Sequence, residues 1–362
     1  MKNIAIVGIQ GVPAQYGGFE TLVENIIGEN ASQEVNYTVF CSSKDYPVKQ
    51  KYYQGARLKY IPFFCANGIQ SIPYDILSLM YCIKGYDAVL MLGVSGCTFL
   101  PIFKLFSRTK IIVNIDGLEH RRAKWGGFAK WFLKTSEKFA IFFADTVIAD
   151  NVCIQKYVQR TYHKHAQLIT YGGDHVLRNV SEEKQQDILK QFNIKKQEYA
   201  VTICRIEPEN NCHITLEAFS KCNQTLVFVG NWGKNKYSQE LKMKYSQYPN
   251  IHLIDSIYDL DFLYTIRKNC RLYIHGHSAG GTNPSLVEAM FFGCPILTYD
   301  VKYNRETTNN KAYYYSNSDQ LVSLLENPNL DASDMLQFAQ QNYRWKIIAQ
   351  QYEALYPDRK TK

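Results

Sequence analysis

Two successive series of short apolar runs, each run separated from the next by a helix-length interval, limit this chain more than any other feature. The first series is NIAIVG (3–8), YTVFC (37–41), LKYIP (58–62), DAVLML (87–92), KIIVNI (110–115), DTVIAD (145–150) and QLITYG (167–172). The second is EYAVTIC (198–204), TLVFVG (225–230), IHLI (251–254), RLYIHG (271–276) and PILTY (295–299). Continuous apolar runs of this length are strands covered on both faces, which means parallel sheets with helices on each side. Two such series predict an α/β chain of two doubly wound, Rossmann-like domains facing across a cleft.

A length of 362 residues suits two domains. The boundary is expected in the polar segment between Tyr171-Gly172-Gly173-Asp174 and the helical pattern SEEKQQDILKQF, giving domains 1–175 and 176–335. The stretch DMLQFAQQNYRWKIIAQQYEALY (334–356) has a long amphipathic pattern without Gly or Pro, and no strand follows it. Residues 336–362 are therefore expected to form a C-terminal helix crossing back to the first domain, with a frayed DRKTK tail.

The balance of 46% hydrophobic to 20% charged residues supports buried cores and excludes a disordered chain. Aromatics (27 Tyr, 19 Phe, 4 Trp) exceed what two cores need and point to aromatic surface for sugars or lipid. The net charge of +8 comes without a helix-turn-helix, an RNP sequence or a Lys/Arg run. It suits small polyanions or an anionic membrane surface rather than nucleic acid. Ten cysteines lie mostly in apolar contexts with no CxxC pair, which reads as free thiols in a reducing cytoplasm and not as disulfides or a zinc site. MKNIAIVG reads as a strand and not a signal peptide. No apolar run reaches membrane-spanning length, since Phe139–Ala149 is broken by Asp145.

Five stretches carry the candidate chemistry. GIQGVPAQYGGFETLVENI (8–26) follows the first strand, and Gly17-Gly18 opens a helix near Phe19 with N–H groups suited to an anion. Neither a dinucleotide nor a P-loop fingerprint is present, and a plain strand-to-helix loop is the competing reading. NIDGLEHRRAKWGGFAKWFLKTSEKF (114–139) places Asp116, Glu119 and His120 beyond a strand end, where open α/β sheets bind ligands. There Arg121, Arg122, Lys124, Lys130 and Lys134 interleave with Trp125, Phe128, Trp131 and Phe132. That pattern fits either an interfacial helix on anionic lipid or an ordinary amphipathic helix, and His120 alone is equally a structural histidine.

TICRIEPENNCHITLEAF (202–219) ends a strand at Arg205, whose guanidinium suits a diphosphate or a surface pair with Glu207 or Glu209. In DSIYDLDFLYTI (255–266), Asp259-Leu260-Asp261 has the look of a metal-binding DxD. An acid at a helix start suits the macrodipole, so no metal is expected. HGHSAGGTNPSLVEAM (275–290) gathers Gly280, Gly281, Thr282, Asn283 and Ser285 at a strand-to-helix junction able to hold phosphate. Its competing reading is a capping box, with Ser285 as cap and Glu288 reaching back to the helix start.

Taken together these residues resemble retaining GT-B glycosyltransferases of family four, closest to the bacterial capsule and cell-wall rhamnosyltransferases. The segments GxxGVPAxYGGFETxVE, NIDGLEHRRAKW, RIEPENN and HGHSAGGTNPSLVEAM carry the resemblance over nearly the whole chain. It implies a nucleotide-diphosphate sugar bound in the C-terminal domain and an acceptor on the N-terminal one. Arg205 matches the arginine at the donor diphosphate, and Glu288 matches the glutamate at the donor ribose. Gly17 and Gly18 match the glycine loop near the phosphates, and Asp116 to His120 occupy the place of sugar-contacting or catalytic groups. The donor set implied is Gly17, Gly18, Arg205, Asn210, Tyr258, Gly280, Gly281, Thr282, Asn283, Ser285, Leu286 and Glu288, with Asp116, His120 and Arg205 catalytic and no metal or other cofactor.

Three positions depart from the pattern. Asn210 stands for a basic residue, Gly280 for the first glutamate of the pair, and Ser278 for an acid after His277. The expected enzyme transfers L-rhamnose from dTDP-L-rhamnose to a lipid-linked saccharide acceptor, peripheral to the cytoplasmic face of the plasma membrane. The alternatives are a nucleotide-sugar 2-epimerase-like isomerase and a non-catalytic sugar-nucleotide-binding protein.

Overall fold

The computed structural model describes residues 1–15, 17–66, 68–122 and 125–357; Lys124 of the basic segment and the 358–362 tail lie outside them. The chain divides into two units, Met1–Tyr171 with the segment from Trp345 onward, and Gly172–Arg344.

The first unit holds an eight-stranded sheet: β1 (Lys2–Val7), β2 (Val35–Ser42), β3 (Tyr52–Tyr53), β4 (Ala56–Ile61), β5 (Ala88–Leu92), β6 (Lys110–Asn114), β7 (Thr146–Ala149) and β8 (Gln167–Leu168). Their order is β3-β4-β2-β1-β5-β6-β7-β8, all parallel except the β3–β4 hairpin. Its helices are α1 (Gly18–Glu29), α2 (Ser71–Met80), α3 (Leu100–Phe106), α4 (Gly127–Phe143) and α5 (Val152–Tyr162).

In the second unit the sheet is β9 (Tyr199–Ile203), β10 (Thr225–Gly230), β11 (Ile251–Asp255), β12 (Leu272–His275), β13 (Ile296–Tyr299) and β14 (Tyr313–Tyr315). The order β11-β10-β9-β12-β13-β14 is parallel throughout. Eight helices belong to it among the described residues: α6 (Glu182–Gln191), α7 (Cys212–Ser220), α8 (Lys236–Tyr245), α9 (Leu260–Lys268), α10 (Pro284–Met290), α11 (Lys302–Thr307), α12 (Ser318–Leu325) and α13 (Ser333–Asn342).

Every apolar run read as a strand is one. Strands such as Ala88–Leu92 are buried at every position, as a parallel strand covered on both faces must be. β3 and β14 escape the pattern because two or three tyrosines among polar neighbours carry no apolar run. Each sheet reverses its strand order once, between β1 and β5 and between β9 and β12, and ligands of doubly wound sheets bind at the carboxyl ends of strands at that point.

The expected single C-terminal helix is two. α13 ends at Asn342, and α14 (Trp345–Glu353) begins after Tyr343-Arg344. The Tyr343 carbonyl, which a continuous helix would use internally, accepts from the Gly173 N–H at 2.8 Å, and its hydroxyl donates to Thr307 O at 2.8 Å. α14 then packs on α1 and buries Trp345, Ile348 and Tyr352 in the first unit's core beside Leu22 and Ile26. Each such side chain contributes about 1.5–3 kcal/mol, which ties the segment to that unit. All ten cysteines are free thiols.

Candidate functional site

In the second unit the chain leaves β9 at Arg205 and β12 at His275, the two strands that flank the order reversal. The two loops that follow are laced together. Asn211 donates its side-chain N–H to Gly276 O at 2.9 Å, and Ser278 donates both its N–H and its hydroxyl to Glu209 O, at 2.9 and 2.8 Å. A Cβ at Gly276 would come within 2.2 Å of Asn210 O, so this approach needs glycine. Asn210 is buried, and its amide donates to Arg205 O at 2.7 Å. Its side chain therefore shapes the Arg205 loop instead of facing a donor. Ser278 is explained by the same lacing: an acid there would set one acceptor against the Glu209 carbonyl.

The helix start at 283–285 departs from the capping-box reading. Asn283 is the cap, its Oδ1 accepting from Ser285 N–H at 3.0 Å and from the Ser285 hydroxyl at 2.8 Å. Pro284 takes the first helical position, so Glu288 lies too far along the helix to reach back. Its carboxylate instead pairs with the buried Arg267 of α9, Oε2 to Nη2 at 2.6 Å, and lies 3.6 Å from His175 Nε2. Leu286 is fully buried in the core and its N–H donates to Asn283 O, so its side chain and amide are both committed to structure. Thr282 is buried, Gly280 has a φ of +110° that favours glycine, and Tyr258 is exposed before α9.

Beneath these loops the buried His275 ring stacks on His277 with centroids 4.4 Å apart, and burial pushes His275 down to about 3, so it is neutral. The DxD resolves into a cap and an ion pair. Asp259 accepts from Asp261 N–H and Phe262 N–H, while Asp261 pairs with Arg178 at 2.8 Å and Lys184 at 2.6 Å. Among the described residues no group of three or more His, Cys, Asp or Glu could hold a metal.

In the first unit Gly17 caps α1 with a φ of +117°. Beside this glycine sits the Glu20 side chain. The Glu20 carboxylate would meet a Cβ on Gly17 at 2.2 Å and accepts from Gln10 N–H at 2.9 Å. Burial raises the Glu20 pKa. Asp116, in left-handed backbone (φ +57°), donates its N–H to Asn114 Oδ1 at 3.0 Å.

His120 Nδ1 lies 2.9 Å from Oε2 of Glu137, a buried carboxylate on the inner face of α4. Glu137 Oε1 accepts from Tyr157 at 2.7 Å, Tyr162 at 2.6 Å and Lys134 at 3.1 Å. Burial alone would raise this carboxyl; His120, the two tyrosines and the Lys134 charge overcome that and hold it at about 2. Glu119 accepts from Trp125 Nε1 at 3.0 Å and pairs with Arg122 at 2.8 Å. Arg121 stands over the Tyr157 ring. Among the described residues of the cation–aromatic segment, Arg122, Trp125 and Lys134 are paired with acids, and Phe128 and Trp131 are exposed.

Residues 1–174 match a family described as a domain of unknown function, DUF1972, and residues 184–336 match the group 1 glycosyl transferases. No curated protein matches the chain. Sucrose-phosphate synthase from Thermosynechococcus elongatus shares the architecture over 98% of both chains at TM-score 0.82 and 16% identity. HepE from Anabaena, solved with UDP-glucose, does so at TM-score 0.73 and 15% identity, over 98% of this chain and 99% of its own. A Listeria monocytogenes structure titled as a UDP-N-acetylglucosamine 2-epimerase is similar at TM-score 0.62 and 13% identity, covering 98% of this chain and 95% of its own. The chain is a glycosyltransferase. Its fold is GT-B, two Rossmann-like units with parallel sheets.

Two residues of this glycosyltransferase that sequence reasoning missed are Glu137 and Arg267. Glu137 had a readable signal, since it shares a helical face with Leu133, Ala140 and Ile141, where an acid must find partners. Arg267 had none, because its pairing with Glu288 joins two helices 21 residues apart in sequence.

Proposed function

We propose that this enzyme binds a nucleotide-diphosphate sugar in its second unit and transfers the sugar, with retention of configuration, to a lipid-linked saccharide. The reading rests on the placement of Arg205 and the 280–288 segment beside the order reversal of the second sheet. Transfer requires stabilising a departing diphosphate. A guanidinium at the strand end and small donors around Gly281 to Asn283 are suited to that as fixed electrostatic groups. Glu288, held by Arg267, would accept from the ribose hydroxyls. The leaving phosphate would assist deprotonation of the acceptor on the front face, so no carboxylate nucleophile is needed, unlike retaining hydrolases. Within the first unit, His120, fixed against Glu137, is the group proposed for catalysis.

The preferred donor is dTDP-L-rhamnose, on the resemblance of the two glycine-rich motifs to the family-four rhamnosyltransferases of capsule and cell-wall assembly. HepE, solved with UDP-glucose, supports a nucleotide sugar in general. The reaction is expected to proceed in EDTA, at the cytoplasmic face of the membrane. No helix among the described residues is long and apolar enough to cross one.

A product whose anomeric configuration is inverted relative to the donor would contradict the mechanism. The fold is shared with the 2-epimerase structure, so incubation with donor alone is the second test. An isomerised sugar nucleotide would favour that reaction, and an unchanged donor favours transfer.

A further inference from the structure

The outer faces of α3 and α4 are apolar and cationic together. These helices follow the adjacent strands β5 and β6 and pack side by side. α3 turns Leu100 and Phe103 inward, leaving Ile102, Leu105 (79% exposed) and Phe106 (68%) outward. α4 buries Leu133, Ala140 and Ile141 and leaves Phe128 (76%), Trp131 (63%) and Phe142 outward. Phe128, Trp131, Lys138 and Phe142 recur at helical spacing and form a stripe about 21 Å long at 1.5 Å per residue. Exposed aromatic and leucine side chains in this number are unusual on a soluble surface without a partner.

Charge selects the partner. The two helices carry Lys104, Lys130, Lys134 and Lys138, and their one acid, Glu137, is buried. Lys104 pairs with Asp145 and Lys134 with Glu137, while Lys138 and the nearby Arg108 are exposed. Lysines are depleted in protein–protein interfaces, whereas aromatic and leucine side chains alternating with cations are the composition of a surface seated at anionic headgroups.

We infer that α3 and α4 together form the surface by which this enzyme rests on an anionic bilayer, with Leu105 and Phe106 of α3 inserted beside Phe128 and Trp131 of α4. The inference rests on the reading of a lipid-linked acceptor and adds α3, which the sequence did not single out.

The test is co-sedimentation of the full chain with vesicles of phosphatidylcholine plus phosphatidylglycerol, and with vesicles of phosphatidylcholine alone. The wild type should bind the first, with binding reduced by salt and weak on the second. Leu105→Ser with Phe106→Ser should lower the partition coefficient about tenfold or more. Arg108→Glu with Lys138→Glu should abolish the preference for the anionic vesicles. Because these side chains are exposed, the variants should keep the wild-type melting temperature and its stabilisation by nucleotide sugars. That second readout separates failure of the surface from failure of the donor site. A wild type that ignores anionic vesicles, or an α3 variant that binds as the wild type does, overturns the inference. So does a concentration-dependent dimer that the α3 variant disrupts, with no vesicle binding.

Discussion

Glu288 on α10 and Glu137 on α4 are both carboxylates withdrawn from solvent, one in each unit, and they are held in different ways. Glu288 has one close guanidinium, Arg267, with His175 further off. Glu137 is surrounded by His120, Lys134, Tyr157 and Tyr162. Four donors saturate a carboxylate, which has about four lone-pair sites, and leave it nothing to offer a ligand. One guanidinium leaves Glu288 acceptor capacity, which the proposed contact with ribose hydroxyls would use. The difference separates a saturated carboxylate, which orients its neighbours, from one with capacity left for the proposed donor contact.

The largest effect expected is at Arg205, at the start of the first laced loop. Arg205→Ala should lower turnover about 10²–10³-fold, the loss seen when one preorganised donor to a developing anion is removed. The melting temperature should barely move; a matching loss of stability would make Arg205 a structural residue.

Next comes Glu288→Gln. With Asn283 as cap, the helix start is indifferent to this change, but Arg267 is left buried with a neutral partner. Stability should fall by about 2–3 kcal/mol, measured by urea denaturation, together with a raised donor KM. Loss of stability with an unchanged KM would place Glu288 with Glu137 as purely structural.

Ser278→Asp should cost about 1–2 kcal/mol, because it opposes a carboxylate to Glu209 O, and should weaken donor binding by loosening the Arg205 loop. Unaltered stability and affinity would show that the lacing does not hold Arg205.

The last is a change of slope at Glu137. Its folded pKa of about 2 lies below the 4.5 of a free carboxyl. Its contribution to stability is therefore complete above about pH 4.5 and is lost as pH falls toward 2. Glu137→Gln should flatten that part of the stability curve, followed by the urea midpoint between pH 5 and 3. An unchanged slope would mean that His120 and the tyrosines do not depress the carboxyl.

Legibility in the sequence followed the range of the interactions. Strands were readable because burial on both faces writes itself as an unbroken apolar run. The break at Tyr343 was not readable, since it depends on Gly173 taking a carbonyl from a helix some 170 residues away. The same holds for Glu288, where a local capping pattern matched Ser285 and Glu288 while Pro284 shifted the cap to Asn283. Asn210 and Ser278, departures when compared with a family pattern, make sense only once the two loops are seen to share hydrogen bonds.

The central claim is that the second unit holds a nucleotide-diphosphate sugar through Arg205 and the 280–288 segment. Thermal denaturation of the wild type and Arg205→Ala, each with dTDP-rhamnose and with UDP-glucose, tests it most directly. The wild type should be stabilised, most by dTDP-rhamnose, and Arg205→Ala should lose most of that shift while melting normally alone. Equal stabilisation of both proteins, or none of either by any nucleotide sugar, would contradict the account.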